Sequence, residues 1–234
     1  MKDKKLLSDI KEYLKCYENQ VLEDWYELIR HISVSETGEG IETCCDWIQK
    51  KMEEIGIQVT KYSVKPAPVL VGRFGNDPEK KTVLIYAHYD VKPAGERKLW
   101  HSDPFVPTVR DGKVYARGSA DNKSPLMAHL KALEYFIRRK MEVPVNVIFV
   151  FEGDEECGSR GLEEFLAEHR TELAADLVFF SDGPKDPSGL PIIALGAKGD
   201  LSIHITVETM NRNVHARYAP VLPSAAWQLV EILG

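Results

Sequence analysis

Residues 145–158 read VNVIFVFEGDEECG, an apolar run interrupted at Asn146 that gives way to four carboxylates within five positions. β-branched and aromatic side chains from Val145 to Phe151, with no regular polar alternation, mark a strand buried on both faces. Such strands belong to sheets covered by helices on each side. Working upstream, TVLIYA at 82–87 reads as a second strand and runs directly into His88, Tyr89 and Asp90. Working downstream, Leu177–Phe180 (LVFF) is expected to be a third buried strand, and Ser181, Asp182 and Gly183 follow it. Helical spacing of apolar residues fills Ser124–Arg139 and Leu162–Glu168. Strands alternating with helices predict an α/β fold: a mixed, mostly parallel sheet flanked by helices.

Further out, Lys5–Arg30 carries apolar residues at helical spacing and predicts one amphipathic helix or two. Ile41–Ile55 predicts another, with Gly56 as its C-terminal cap. Ile57–Val64 and Val69–Phe74 read as strands, and Asp111-Gly112 as a hairpin turn between Val109 and Val114. Near Leu195 the texture changes. Leu201, Ile203, Ile205 and Val207 alternate with polar residues, which predicts a strand with one wet face, and a helix begins near Pro223. The expected organisation is a catalytic α/β domain over residues 1–196. Residues 197–234 then form the beginning of a smaller α+β lid or dimerisation domain that has not closed a core.

Apolar residues make up 44% of the 234, and the formal net charge is −6. That balance argues against nucleic acid or an anionic membrane as partner and suits cations. The four cysteines, Cys16, Cys44, Cys45 and Cys157, form no C-x-x-C pair. They are expected to be small buried hydrophobes in a reducing compartment rather than a disulfide framework. The first twenty residues are interrupted by charges every few positions and read as neither leader nor membrane helix, so a cytoplasmic location is expected.

Four segments concentrate the chemistry: His88 with Asp90, Asp121 just before a helix, the acidic group Glu152, Asp154, Glu155 and Glu156, and Asp182. Three of them follow strands directly. In open α/β sheets the carboxyl ends of parallel strands share the edge where ligands bind. One imidazole with several carboxylates suits zinc, with manganese or cobalt also compatible. A shared carboxylate holds two ions roughly 3.5–4 Å apart in two-metal hydrolases. Each element has a structural alternative: a core histidine, a helix N-cap at Asp121, a solvated acidic face and an ordinary Asp182-Gly183 turn. Their joint placement at strand ends speaks against all four at once. His31, His101, His129 and His169 lie in helical or loop contexts without a carboxylate cluster and are assigned structural roles, as is His204. His215 is ambiguous from the residues alone.

The segments AHYDVKPAG (87–95), WHSDPF (100–105), ARGSADNKS (116–124), FEGDEECGS (151–159) and FSDG (180–183) together resemble, in order and spacing, the M20 family of metallopeptidases. That family includes dipeptidases, glutamate carboxypeptidases and amino-acid deacylases, and the resemblance covers the N-terminal part of a typical member. It implies that His88 and Asp182 bind one zinc, Asp121 bridges two, Glu156 binds the other, Glu155 is the general base and Asp90 orients His88. It implies an oxyanion-stabilising role for His215, although Ala216-Arg217 follows where a small Ser-Gly pair is usual. Ser124 likewise stands where glycine is usual. The family's last zinc ligand, a histidine, has no counterpart in the matched segments. Residues 1–234 are therefore expected to bind one zinc better than two and to hydrolyse little. The implied function is zinc-dependent hydrolysis of dipeptides or small peptides by a homodimer formed through the lid. The alternatives are deacylation of N-acyl amino acids and peptide binding without cleavage.

Overall fold

A computed structural model describes residues 2–183, 188–190, 192–194, 196, 198–199 and 201–234. The chain divides into two compact units, Met1–Gly183 and Pro184–Gly234.

The first unit is built on a five-stranded mixed sheet. Its strands are β1 (Gln58–Tyr62), β2 (Val69–Phe74), β3 (Thr82–His88), β6 (Asn146–Glu152) and β7 (Leu177–Phe180), in the order β1-β2-β6-β3-β7. A separate hairpin, β4 (Thr108–Arg110) with β5 (Lys113–Tyr115), turns through Asp111 and Gly112. Both turn residues have positive φ, as a two-residue hairpin requires. β1 and β2 run antiparallel to their neighbours, whereas β3 is parallel to both β6 and β7. The register sets His88 beside Glu152 and Tyr86 beside Phe180. The carboxyl ends of β3, β6 and β7 therefore lie along one edge.

Helices cover both faces. α1 (Lys2–Arg30) is one continuous helix, and α2 is Ile41–Glu54. With α3 (Lys123–Arg138) they pack on one face, and α4 (Leu162–Glu168) lies on the other. Every residue of β6 is buried. Its Val147, Phe149 and Phe151 join Leu28, Cys44, Ile48, Met52, Leu126 and Leu130, while Ile148 and Val150 join Val69, Val71, Leu84 and Phe165. The period-2 alternation of a strand thus feeds two apolar layers. Burying one such side chain contributes about 1.5–3 kcal/mol.

Several expectations need correction. β7 forms, but it is exposed rather than buried, with Leu177, Val178, Phe179 and Phe180 each about half accessible. Among the described residues it is the edge strand, with β3 as its one neighbour. Cys44 and Cys45 are buried as expected, but Cys16 is exposed and Cys157 half-buried. The alternating segment 201–207 forms no strand, because among the described residues nothing pairs with it and a strand needs a partner for its backbone. His204, assigned to that strand, is accordingly not on one. α5 (Ala225–Leu233) forms, capped by Ser224. Among the described residues no helix is long and apolar enough to cross a membrane.

Candidate metal centre

His88 ends β3 and is fully buried. Its Nδ1 lies 3.1 Å from the Asp90 carbonyl oxygen and 3.2 Å from Asp90 Oδ1, which fixes the ring. Its Nε2 faces three carboxylates. It lies 3.0 Å from Asp121 Oδ1, 3.2 Å from Asp182 Oδ2 and 3.6 Å from Glu155 Oε2. A tetrahedral zinc with ligands at about 2.0–2.1 Å separates neighbouring ligand atoms by roughly 3.3 Å. The imidazole-to-carboxylate distances match that edge, and ligand atoms of His88, Asp121 and Asp182 all lie within 4.8 Å of one another. The donor set and its spacing fit a divalent ion.

Each ligand-bearing segment is held by its own device. Asp121 sits at the end of the loop leading into α3, with a cis bond to Asn122. Asn122 Nδ2 donates to the Ser181 carbonyl at 2.8 Å and so joins this loop to the one carrying Asp182. Gly118 has φ of +76°, and a Cβ there would lie 2.5 Å from Val91 Cγ1. Glu155 and Glu156 open a short 3₁₀ turn after β6. Their N–H groups donate to Asp90 Oδ1 at 3.2 Å and Oδ2 at 3.1 Å respectively. Asp90 therefore positions His88 and the Glu155-Glu156 backbone together. The buried Asp154 closes the same turn, accepting from Arg160 Nε at 2.9 Å, Nη2 at 2.6 Å and the Arg160 N–H at 3.0 Å.

The charges follow from this crowding. Burial opposes protonation of His88, but the Asp90 hydrogen bond and the charges of Asp90, Glu155 and Asp182 outweigh it and raise its pKa to about 9. Burial would raise the Asp90 pKa, yet hydrogen bonds from His88 and Ser35 hold its carboxyl below the usual range. Burial raises the pKa of Glu155, and neighbouring Asp182, Glu156 and Asp90 push the same way against His88. A carboxylate with a raised pKa holds a proton more readily, as a general base must once it has taken one.

The structure thus brings together His88, Asp90, Asp121, Glu155 and Asp182. Glu156 is on the same turn, but its Oε2 lies 3.6 Å from Lys92 Nζ, and it is not among the three residues whose ligand atoms cluster. His215 belongs to the second unit, where its Nδ1 accepts from the Arg217 N–H at 3.1 Å and caps a 3₁₀ turn. His129 packs edge-on to Phe179, and His169 packs against Tyr62 and Phe165, as structural imidazoles do.

Sequence reasoning missed the residues behind the ligands. Glu152, placed in the chemistry-bearing acidic group but given no role of its own, is buried and accepts hydrogen bonds from Tyr86 Oη at 2.5 Å and Ser159 Oγ at 2.8 Å. Ser33 Oγ donates to the Tyr89 carbonyl at 2.6 Å. The signal for Glu152 was available: it stands in strand register directly after a run buried on both faces.

A model of peptidase family M20/M25/M40 matches residues 84–232. The chain is 40% identical over 172 residues to the Cys-Gly metallodipeptidase dug1 of Schizosaccharomyces pombe, covering 71% of this chain and 36% of that protein. It is 30% identical over 220 residues to a cysteinylglycine-S-conjugate dipeptidase of Corynebacterium striatum, covering 92% and 48% respectively. The solved structure of an M20 family metallo-carboxypeptidase, Sso-CP2 of Sulfolobus solfataricus, superposes with a TM-score of 0.79 at 33% identity, over 92% of this chain and 49% of that one. The chain spans about a third to a half of the length of these relatives.

Proposed function

The chain belongs to peptidase family M20/M25/M40, and from that premise we propose that it carries the metal-binding and proton-transferring part of a dipeptidase centre. The convergence of Asp121, Asp182 and Glu155 on His88 Nε2 is the observation that carries this reading. His88, Asp121 and Asp182 would hold one divalent ion, zinc by donor type, and Asp121 with Glu156 would hold a second. Bound there, a divalent ion would supply a water of lowered pKa and polarise the scissile carbonyl. Glu155 would take the attacking water's proton and return it to the leaving nitrogen. Asp90 orients the His88 ring, as a ligand would require, and fixes the backbone from which Glu155 projects. His215 is proposed to stabilise the oxyanion in the dimer formed through the lid. The relatives' names favour dipeptides over N-acyl amino acids as substrates.

The test is metal content with a single substitution. Reloaded chain should hold one zinc tightly and lose it in His88→Ala. In the complete protein Glu155→Gln should keep its zinc while hydrolysis of Cys-Gly falls by about 10²–10⁴-fold. Zinc-free chain after reloading, or Glu155→Gln that hydrolyses at the parent rate, overturns the reading.

A further inference from the structure

Lys123 lies two residues after Asp121, at the first position of α3, and is only 1% exposed. An ammonium is disfavoured there twice. The N-terminus of a helix carries partial positive charge, and a buried cation without partners costs several kcal/mol. What holds it is the far end of α1. Lys123 Nζ donates to the Leu28 carbonyl at 3.1 Å and the His31 carbonyl at 2.6 Å. The last carbonyls of a helix have no partner within it and sit at its negative end. Lys123 therefore joins the start of one helix to the end of another, immediately behind the loop that presents Asp121.

The same stretch of chain also supports the other ligand segment. Ser33 Oγ donates to the Tyr89 carbonyl at 2.6 Å, and the Val91 N–H donates to the Ser33 carbonyl at 2.8 Å. Residues 28–35 thus back both the Asp121 loop and the His88–Asp90 segment, although none of them is among the clustered ligand residues. An ordinary structural lysine would be exposed or paired with a carboxylate; this one is buried, and among the described residues its hydrogen-bond partners are backbone carbonyls.

We propose that Lys123 is a positioning residue of the metal centre, clamping the loop that carries Asp121 to the C-terminal end of α1. The proposal rests on the metal reading above. Groups behind the ligands typically change metal affinity by about 10–100-fold when removed. Lys123→Met keeps the length and removes the donors. Measured against a competing chelator, zinc affinity should fall by about 10–100-fold, and the visible band of the cobalt-loaded chain should shift, with far-UV circular dichroism unchanged. A folded Lys123→Met with parent affinity and parent cobalt spectrum overturns the proposal alone, while a parent chain that binds neither ion overturns it together with the metal reading. Should Lys123→Met not fold, hydrogen exchange on the parent chain decides. By reciprocity, zinc should slow exchange of amides within residues 28–35 by about tenfold. Bound zinc with no change in those amides overturns the clamp.

Discussion

β6 and β7 are written in nearly the same alphabet, VIFVF against LVFF, yet every residue of one is buried and every residue of the other exposed. The difference is position. β6 pairs with β2 on one side and β3 on the other and has helices over both faces, whereas among the described residues β7 ends the sheet with β3 as its one neighbour. Apolar runs specify strand formation. Burial is decided by what the rest of the chain places around them. Both strands nonetheless deliver residues to the same centre, Glu155 after β6 and Asp182 after β7.

The sharpest test of this contrast is Phe149→Ala. Phe149 is fully buried within the helix-covered layer, and its truncation should cost about 3–5 kcal/mol in urea unfolding. A loss below about 1 kcal/mol would mean that β6 is not the centre of the core.

β3 lies between the two strands and ends in His88, so its titration reports the site they share. The folded-state pKa of His88 is raised from 6.5 to about 9. A raised pKa stabilises the fold fully below pH 6.5, and that contribution is lost as pH rises through about 9. Metal-free chain should therefore lose on the order of 3 kcal/mol between those limits. Zinc, which needs the ring unprotonated, should remove the slope. Metal-free stability that is flat from pH 6 to 9.5 would contradict the crowded-carboxylate picture.

Asp182→Asn asks whether an exposed strand still presents a firm ligand. Zinc affinity should fall by about a hundredfold or more, beyond the usual effect of groups behind the ligands. A change under about threefold would show that the β7 end contributes little to binding.

The smallest effect is expected from Phe179→Ser on β7, less than about 1 kcal/mol because the side chain is half exposed already. A cost like that of Phe149→Ala would erase the contrast between the strands.

These strands also show how far a sequence can be read. Val145–Phe151 and Thr82–Ala87 declare themselves because their patterns repeat locally, and His88 and Asp182 follow because they sit directly at strand ends. The exposure of β7 was hidden because it depends on strand order, which no local pattern carries. The segment 201–207 has the right alternation, but alternation without a neighbour makes no ladder. Glu152 and Lys123 were misjudged or passed over for a common reason. Acidic and basic residues are usually solvated, and only three-dimensional partners from residues far away in sequence, Tyr86 for one and Leu28 with His31 for the other, make their burial tolerable.

Asp90 shows how little latitude this arrangement leaves for isosteric change. One carboxylate oxygen receives the Glu155 N–H and faces His88 Nδ1, and the other receives the Glu156 N–H. An asparagine would have the same outline but only one oxygen. Whichever way its amide turned, an NH₂ would confront a group that itself offers a hydrogen, donor against donor. Rotation offers no escape, since both sides of the carboxylate are already spoken for. The mildest-looking replacement at position 90 would therefore set an electrostatic conflict between the imidazole and the turn that carries Glu155.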